Sequence, residues 1–185
     1  MNTLEAIHAR HSVGNVDAAP IPRSQIEQLL DAAVQAPNHY KVRPWRFVVI
    51  TGKAREGLGQ AMVKALRRKH PEVEAAASDK EAAKPLRAPL IIAVGVDRPE
   101  DPRVIEIENV CAVAAACENI LLAATDLGLA SYWRTGESAR DPEVKEFLGF
   151  QAEQDLIAFL YIGRPVASPD AAPRPGFDDR TVWMN

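Results

Sequence analysis

Apolar residues recur along this chain in two rhythms, one helical and one of unbroken runs. Leu4 and Ile7 share a face of a short opening helix that runs to about residue 10. Ile26, Leu29, Leu30, Ala33 and Val34 follow at helical spacing, with Ser24 and Glu27 placed as a capping box before them and Pro37 as a stop. Leu58, Ala61, Met62, Ala65 and Leu66 mark a helix over about 53–69. The longest and most apolar helix covers about 104–127. Its Ala112, Ala114, Ala115, Ala116, Ala123 and Ala124 leave little side-chain bulk, so a neighbour can approach closely and the helix is expected to be central or in a subunit interface. Gly128 suits its C′ position. Asp141 and Pro142 start a short helix as N-cap and N1, and Gly149 ends it.

The second rhythm predicts strands. "WRFVVIT" ends at Gly52, "LIIAVGV" spans 90–96, and "ASYWRT" and "DLIAFLYIG" complete the set. A continuous apolar run of this length suits a strand buried on both faces. The stretch "PEVEAAASDKEAAKPLRAP" is charged and alanine-rich. It is expected to be helical only in part, with little to bury, and the most mobile part of the chain. Without repeats, and with helices and strands alternating irregularly, the pattern predicts an α/β or α+β domain around one small sheet. From Arg164 onward the chain has four prolines and no periodicity, yet it finishes "TVWM". A solvated tail has no use for Val182, Trp183 and Met184, so this end is expected to dock, with a partner subunit as the candidate surface.

Composition changes this picture little. The chain has 185 residues, 47% hydrophobic and 25% charged, as expected of one globular domain that needs no disulfides. Its two cysteines, Cys111 and Cys117, lie six residues apart on the long helix, too far for a disulfide and without metal-ligand spacing, and read as core thiols. A net charge of −3 gives no footprint for nucleic acid. The basic cluster "KALRRKH" lies where a helix end favours cations. The N-terminus lacks the apolar core of a secretory signal, and no stretch is read as a membrane span. The expected compartment is the cytoplasm.

Several chemistries drop out. None of the ten glycines builds a dinucleotide or P-loop motif, and no G-x-S-x-G elbow is present. His8 and His11 lack a third ligand, so no metal site is expected. Three short clusters remain. "RHS", Arg10 to Ser12, offers a guanidinium and a hydroxyl to an anion, or simply a cap for the first helix. "NHYKVRPW" is a turn loaded with cations, an imidazole and aromatics. "SYWRTGE" is a strand end followed by a glycine turn.

In order along the chain, "I-x-x-R-x-S", "A-P-N-x-x-x-x-P-W-x-F-x-V-I", "APLIIAV", an alanine-rich helix ending "A-x-x-L-G-L-A-S-x-W" and finally "IG-x-P" resemble the FMN-dependent nitroreductases, most closely their small, minimal-length subgroup. The resemblance covers residues 3 to 165. It implies a three-layer α+β fold, a small, mostly antiparallel sheet flanked by helices, in an intertwined homodimer with FMN at the subunit interface. Residues 1–165 would form the FMN-binding domain, and 166–185 an extension docked on the partner subunit.

By the same resemblance, Arg10, His11 and Ser12 contact phosphate, ribityl chain and ring edge. Trp133, Arg134 and Thr135 pass the isoalloxazine, while Gln35 and His39 reach the flavin from the other subunit. No residue is assigned as acid or base, because flavin N5 is the reactive centre. Reduced flavin carries negative charge near N1 and O2, which makes Arg10 the first candidate for electrostatic stabilisation and Arg134 the second. Hydride would pass from NADH or NADPH to N5 and on to a nitroaromatic, quinone or similar small acceptor, by ping-pong kinetics. Asn38 and Arg43 stand where many relatives have Ser and Gln, which bears on the substrate pocket. Larger relatives place a C-terminal cation on the phosphate; Arg164, Arg174 and Arg180 are available, and Arg174 is the choice made here. The alternatives are a flavin module that stores or senses FMN without turnover, and a dimeric interaction domain with no cofactor.

Overall fold

The computed structural model describes residues 1–167 and 173–184. The elements are α1 (Thr3–Ala9), α2 (Arg23–Ala33), β1 (Trp45–Thr51), α3 (Ala54–Lys69), α4 (Ala75–Ala83), β2 (Leu90–Val96), α5 (Glu106–Asp126), β3 (Ala130–Arg134), α6 (Pro142–Phe147) and β4 (Asp155–Gly163), with short 3-10 turns between some of them. The strands form one sheet in the order β1-β2-β4-β3, and every neighbouring pair is antiparallel.

β2 is buried along its whole length because helices cover both faces of the sheet. Leu90, Ile92 and Val94 point to the α2/α5 side, where they meet Ile26, Leu29, Val113, Ala116 and Ile120. Ile91 and Ala93 point to the opposite side and meet Leu58, Met62, Val144 and Phe159. The period-two alternation of one strand thus feeds two apolar cores and creates three layers. α5 runs through the first core, with Val113, Ala116, Cys117, Ile120 and Ala124 fully buried. By length and composition α5 could cross a membrane, contrary to the expectation that no stretch would. Its place beneath the sheet accounts for that apolar character, since an interior helix and a spanning helix share the same composition. Gly128 follows α5 at φ +70°, the left-handed C′ conformation expected of it.

Three expectations need correction. The Ser24–Glu27 capping box does not form. α2 begins at Arg23 with Pro22 as N-cap, the Pro22 carbonyl accepts from the amides of Gln25 and Ile26, and Glu27 pairs with Arg23 at 2.8 Å. Cys117 is a core thiol, but Cys111 is exposed, because α5 buries only one side at that level. The third concerns residues 71–88. α4 packs on α3 through small residues, and a Cβ added at Gly59 would lie 2.3 Å from the Ala82 carbonyl oxygen. Ser78 is buried and accepts from Arg67 Nε at 3.3 Å. Close backbone approach replaces the large apolar anchors that the sequence lacks there.

The last described residues of the tail stand in the open, although Arg174 reaches the end of α1. Val182, Trp183 and Met184 are 86%, 77% and 93% exposed. Residues 168–172 and 185 of the expected 166–185 extension lie outside the described residues.

Candidate active site

Two distant parts of the sequence are brought together at the free edge of β3. Ser12 bridges Ser131 in parallel, and the Val13 amide donates to the Ser131 carbonyl at 3.0 Å. The segment after α1 therefore runs alongside the strand that carries Trp133, Arg134 and Thr135. Ser12 and Thr135 are exposed, while Arg10, His11, Trp133 and Arg134 are half-buried. Arg134 is held flat: its guanidinium lies 4.1 Å above the Tyr132 ring and 5.9 Å from that of Tyr161.

Beyond Thr135 the chain turns at Gly136 and opens a cavity of about 330 Å³ against α3, α4 and the turn that follows α4. Arg134, Thr135, Phe159 and Tyr161 line one side, and Lys69, Glu81, Lys84 and Arg87 line the other. Lys69 belongs to the basic cluster read as a helix end, while Glu81, Lys84 and Arg87 were not singled out in the sequence. The only available signal was the density of charge in "KEAAKPLR", which reads equally well as a solvated helix face. Glu81 pairs with Lys84 at 2.5 Å, and Lys69 lies 3.6 Å from Glu137. Burial pushes the Tyr161 hydroxyl up to about 12, against the opposing pull of Arg134 and Arg87.

Of the two roles that spacing left open for Arg10, the cap is not the one observed. Its side chain does not cap α1; Nε lies 3.5 Å from Glu118 on α5. The carbonyls at that helix end are instead taken by Arg174, whose guanidinium donates to Ile7 O at 3.4 Å and to Arg10 O. Arg164 donates to Pro20 O and Arg180 pairs with Asp179, so of the three C-terminal arginines only Arg174 sits beside Arg10.

Gln35 and His39 are not part of this assembly. Gln35 donates to Asp31 O at 3.3 Å, and His39 lies 3.8 Å from Glu108, in the first turn of α5, whereas Glu118 lies near its middle. The ten positions between those two glutamates correspond to ~15 Å of helix rise. The His39 elbow is itself unusual. Tyr40, Lys41 and Arg43 have φ of 49°, 56° and 51°, a conformation that side chains disfavour. It is pinned by Asn38 Oδ1, which accepts from the Arg43 amide at 2.9 Å, and by Arg103 stacked 4.8 Å over Tyr40. Strain maintained in this way concentrates at functional loops.

A family model described as the nitroreductase family matches residues 7–164. The chain belongs to the nitroreductase family. Among curated relatives, the Escherichia coli (strain K12) protein named "Putative NAD(P)H nitroreductase YdjA" is 31% identical over 170 residues, 89% of each chain. A nitroreductase-like family protein from Bacillus cereus superposes with a TM-score of 0.82 at 26% identity, covering 100% of this chain and 96% of that one. A nitroreductase with bound FMN from Bacteroides fragilis NCTC 9343 shares the fold at a TM-score of 0.77 and 22% identity, with full coverage of both chains. Helices packed on both faces of a small antiparallel sheet are thus the nitroreductase fold, as the sequence implied.

Proposed function

We propose that this chain is an FMN-dependent oxidoreductase that takes electrons from NADH or NADPH and passes them to a nitroaromatic, quinone or similar small acceptor. The observation that carries the reading is the meeting of the 10–13 segment with β3 beside a cation-rich cavity. That donor set suits FMN: arginines and hydroxyls for a phosphate, and fixed cations beside an electron-rich ring. The FMN-bound relative of the same fold and the NAD(P)H nitroreductase name of YdjA support the same choice.

On this reading Arg10, His11, Ser12 and Arg174 hold the phosphate end. Trp133, Arg134 and Thr135 flank the ring, and Lys84 and Arg87 line the same cavity as Arg134 and Thr135. Bound FMN supplies a centre that accepts hydride and later releases it. The protein then needs no acid or base of its own; its part is to place donor and acceptor in turn at one open cavity, which predicts ping-pong kinetics. Gln35 and His39, the latter's contact on α5 lying ~15 Å along the helix from that of Arg10, complete the site of a second copy. The exposed Leu4, Ile7 and Ile107, together with the 181–184 tail, provide the apolar surface for that homodimer.

The test is an absorption spectrum of the purified protein before and after anaerobic NADPH, and separately NADH. A flavin band near ~450 nm that bleaches and returns on adding a quinone or nitroarene is the expected result. A yellow protein that never bleaches would favour storage or sensing of FMN. A protein that stays colourless after incubation with FMN would overturn the assignment.

A further inference from the structure

The cavity bounded by α3 and α4 opens on the opposite face of the sheet from Arg10. Along β3, Tyr132 and Arg134 alternate with Ser131 and Trp133. Trp133 packs towards the α2/α5 core, and Arg10 faces Glu118 of α5, whereas Tyr132, Phe159 and Tyr161 belong to the core beneath α3. Four cations and two carboxylates line the cavity. Lys84 is matched by Glu81 at 2.5 Å, and Lys69 by Glu137 at 3.6 Å and Asp141 at 4.0 Å. Among the described residues Arg87 and Arg134 make no ion pair and no side-chain hydrogen bond, so the positive excess lies with them. Both charges act on Tyr161, which is 7% exposed and whose hydroxyl bonds to no described residue. Burial keeps that hydroxyl protonated at neutral pH, so it meets a guest as a donor. Met62, Leu66 and Phe159 supply an apolar wall.

We propose that this cavity binds a small aromatic carboxylate, with the carboxylate on Arg87 and the Tyr161 hydroxyl and the ring against Phe159. A planar guanidinium pairs with a carboxylate through two parallel hydrogen bonds, and an apolar wall with a few convergent polar groups is the usual make-up of a small-molecule site. A volume of about 330 Å³ suits a single ring with its substituents. Binding stands on the cavity's own residues and needs no FMN beside Arg87. Only its meaning rests on the reading above: the acceptor class is then a nitroaromatic or quinone that carries a carboxylate.

The experiment titrates benzoate and its neutral counterpart benzamide into the wild type, R87Q and R87K by calorimetry, with and without saturating FMN. Arg87 is exposed, so both variants are expected to fold, which far-UV circular dichroism checks. The wild type should bind benzoate at least about tenfold more tightly than benzamide, R87Q should lose most of that preference, and R87K should keep part of it. FMN should leave the benzoate affinity unchanged. Equal affinity of the wild type for the two probes would overturn the proposal, even if R87Q failed to fold. A preference that survives in R87Q, or displacement of benzoate by FMN, would overturn it as well. Because the readout is direct binding, a wild type that prefers benzoate but takes no FMN would support this site and overturn the FMN reading alone.

Discussion

Cys117 and Tyr161 show how a single position acquires a property from its surroundings. The Cys117 thiol is pushed up to about 12 from 9.0, first by burial between α5 and the core and then by the neighbouring Glu118 charge. Tyr161 moves to about 12 from 10.0, also by burial, although Arg134 and Arg87 pull the other way. Both groups hold their protons longer in the folded state than in the unfolded one. Their contribution to stability is therefore fully present below pH 9 and is lost as pH rises from about 9 towards 12. Urea midpoints measured from pH 8 to 11 should fall across that window, and Cys117→Ala should flatten part of the decline. A midpoint that stays level for the wild type would show that neither group is buried as described. That a thiol stood at 117 was plain in the sequence; that Cys117 would be buried and Cys111 exposed was not, because helical spacing alone does not say which flank meets the sheet.

At the scale of elements, the outcome for α4 follows from contact rather than propensity. The 75–83 stretch has a weak apolar stripe, and its docking relies on Gly59 letting the α4 backbone approach α3. Gly59→Ala places a methyl group against the Ala82 carbonyl, which backbone cannot relieve cheaply. It should cost about 1–3 kcal/mol, with a melting point lower by roughly 2–4 °C per kcal/mol for a chain of this size. Because Glu81 and Lys84 line the cavity, the variant should also loosen FMN. Calorimetry and a flavin titration measure the two effects, and an unaltered melting point would mean that α4 is not held by this contact. The four strands and the α5 boundaries were legible in the sequence because runs and spacings of apolar residues encode them directly. The capping box failed because Pro22 already presets the helix entry two residues upstream of Ser24.

For the whole molecule the proposed function turns on one chain contributing Arg10 to one FMN and His39 to another. If Arg10 and His39 serve the same FMN from different subunits, Arg10→Ala and His39→Ala should each weaken FMN retention, the former by one or two charge-assisted hydrogen bonds of ~1.5–3 kcal/mol each. Mixing the two variants under conditions of subunit exchange should restore about a quarter of the sites, since each mixed dimer holds one intact pair by two-fold symmetry. Flavin titration of the mixture reads this directly, and no recovery would place both residues in one chain's site or His39 outside any site. By itself the sequence determined most of the elements, a mixed helix-and-strand domain around one small sheet, and the three clusters proposed to bind the cofactor, since periodicity and residue type are local properties. Tertiary structure alone decided that the 10–13 segment lies along β3, that Lys84 and Arg87 join the cavity, that Arg174 rather than Arg10 caps α1, and that Glu118 neutralises Arg10. Each of those depends on which distant segments meet, and no local pattern records the partner across a packed interface.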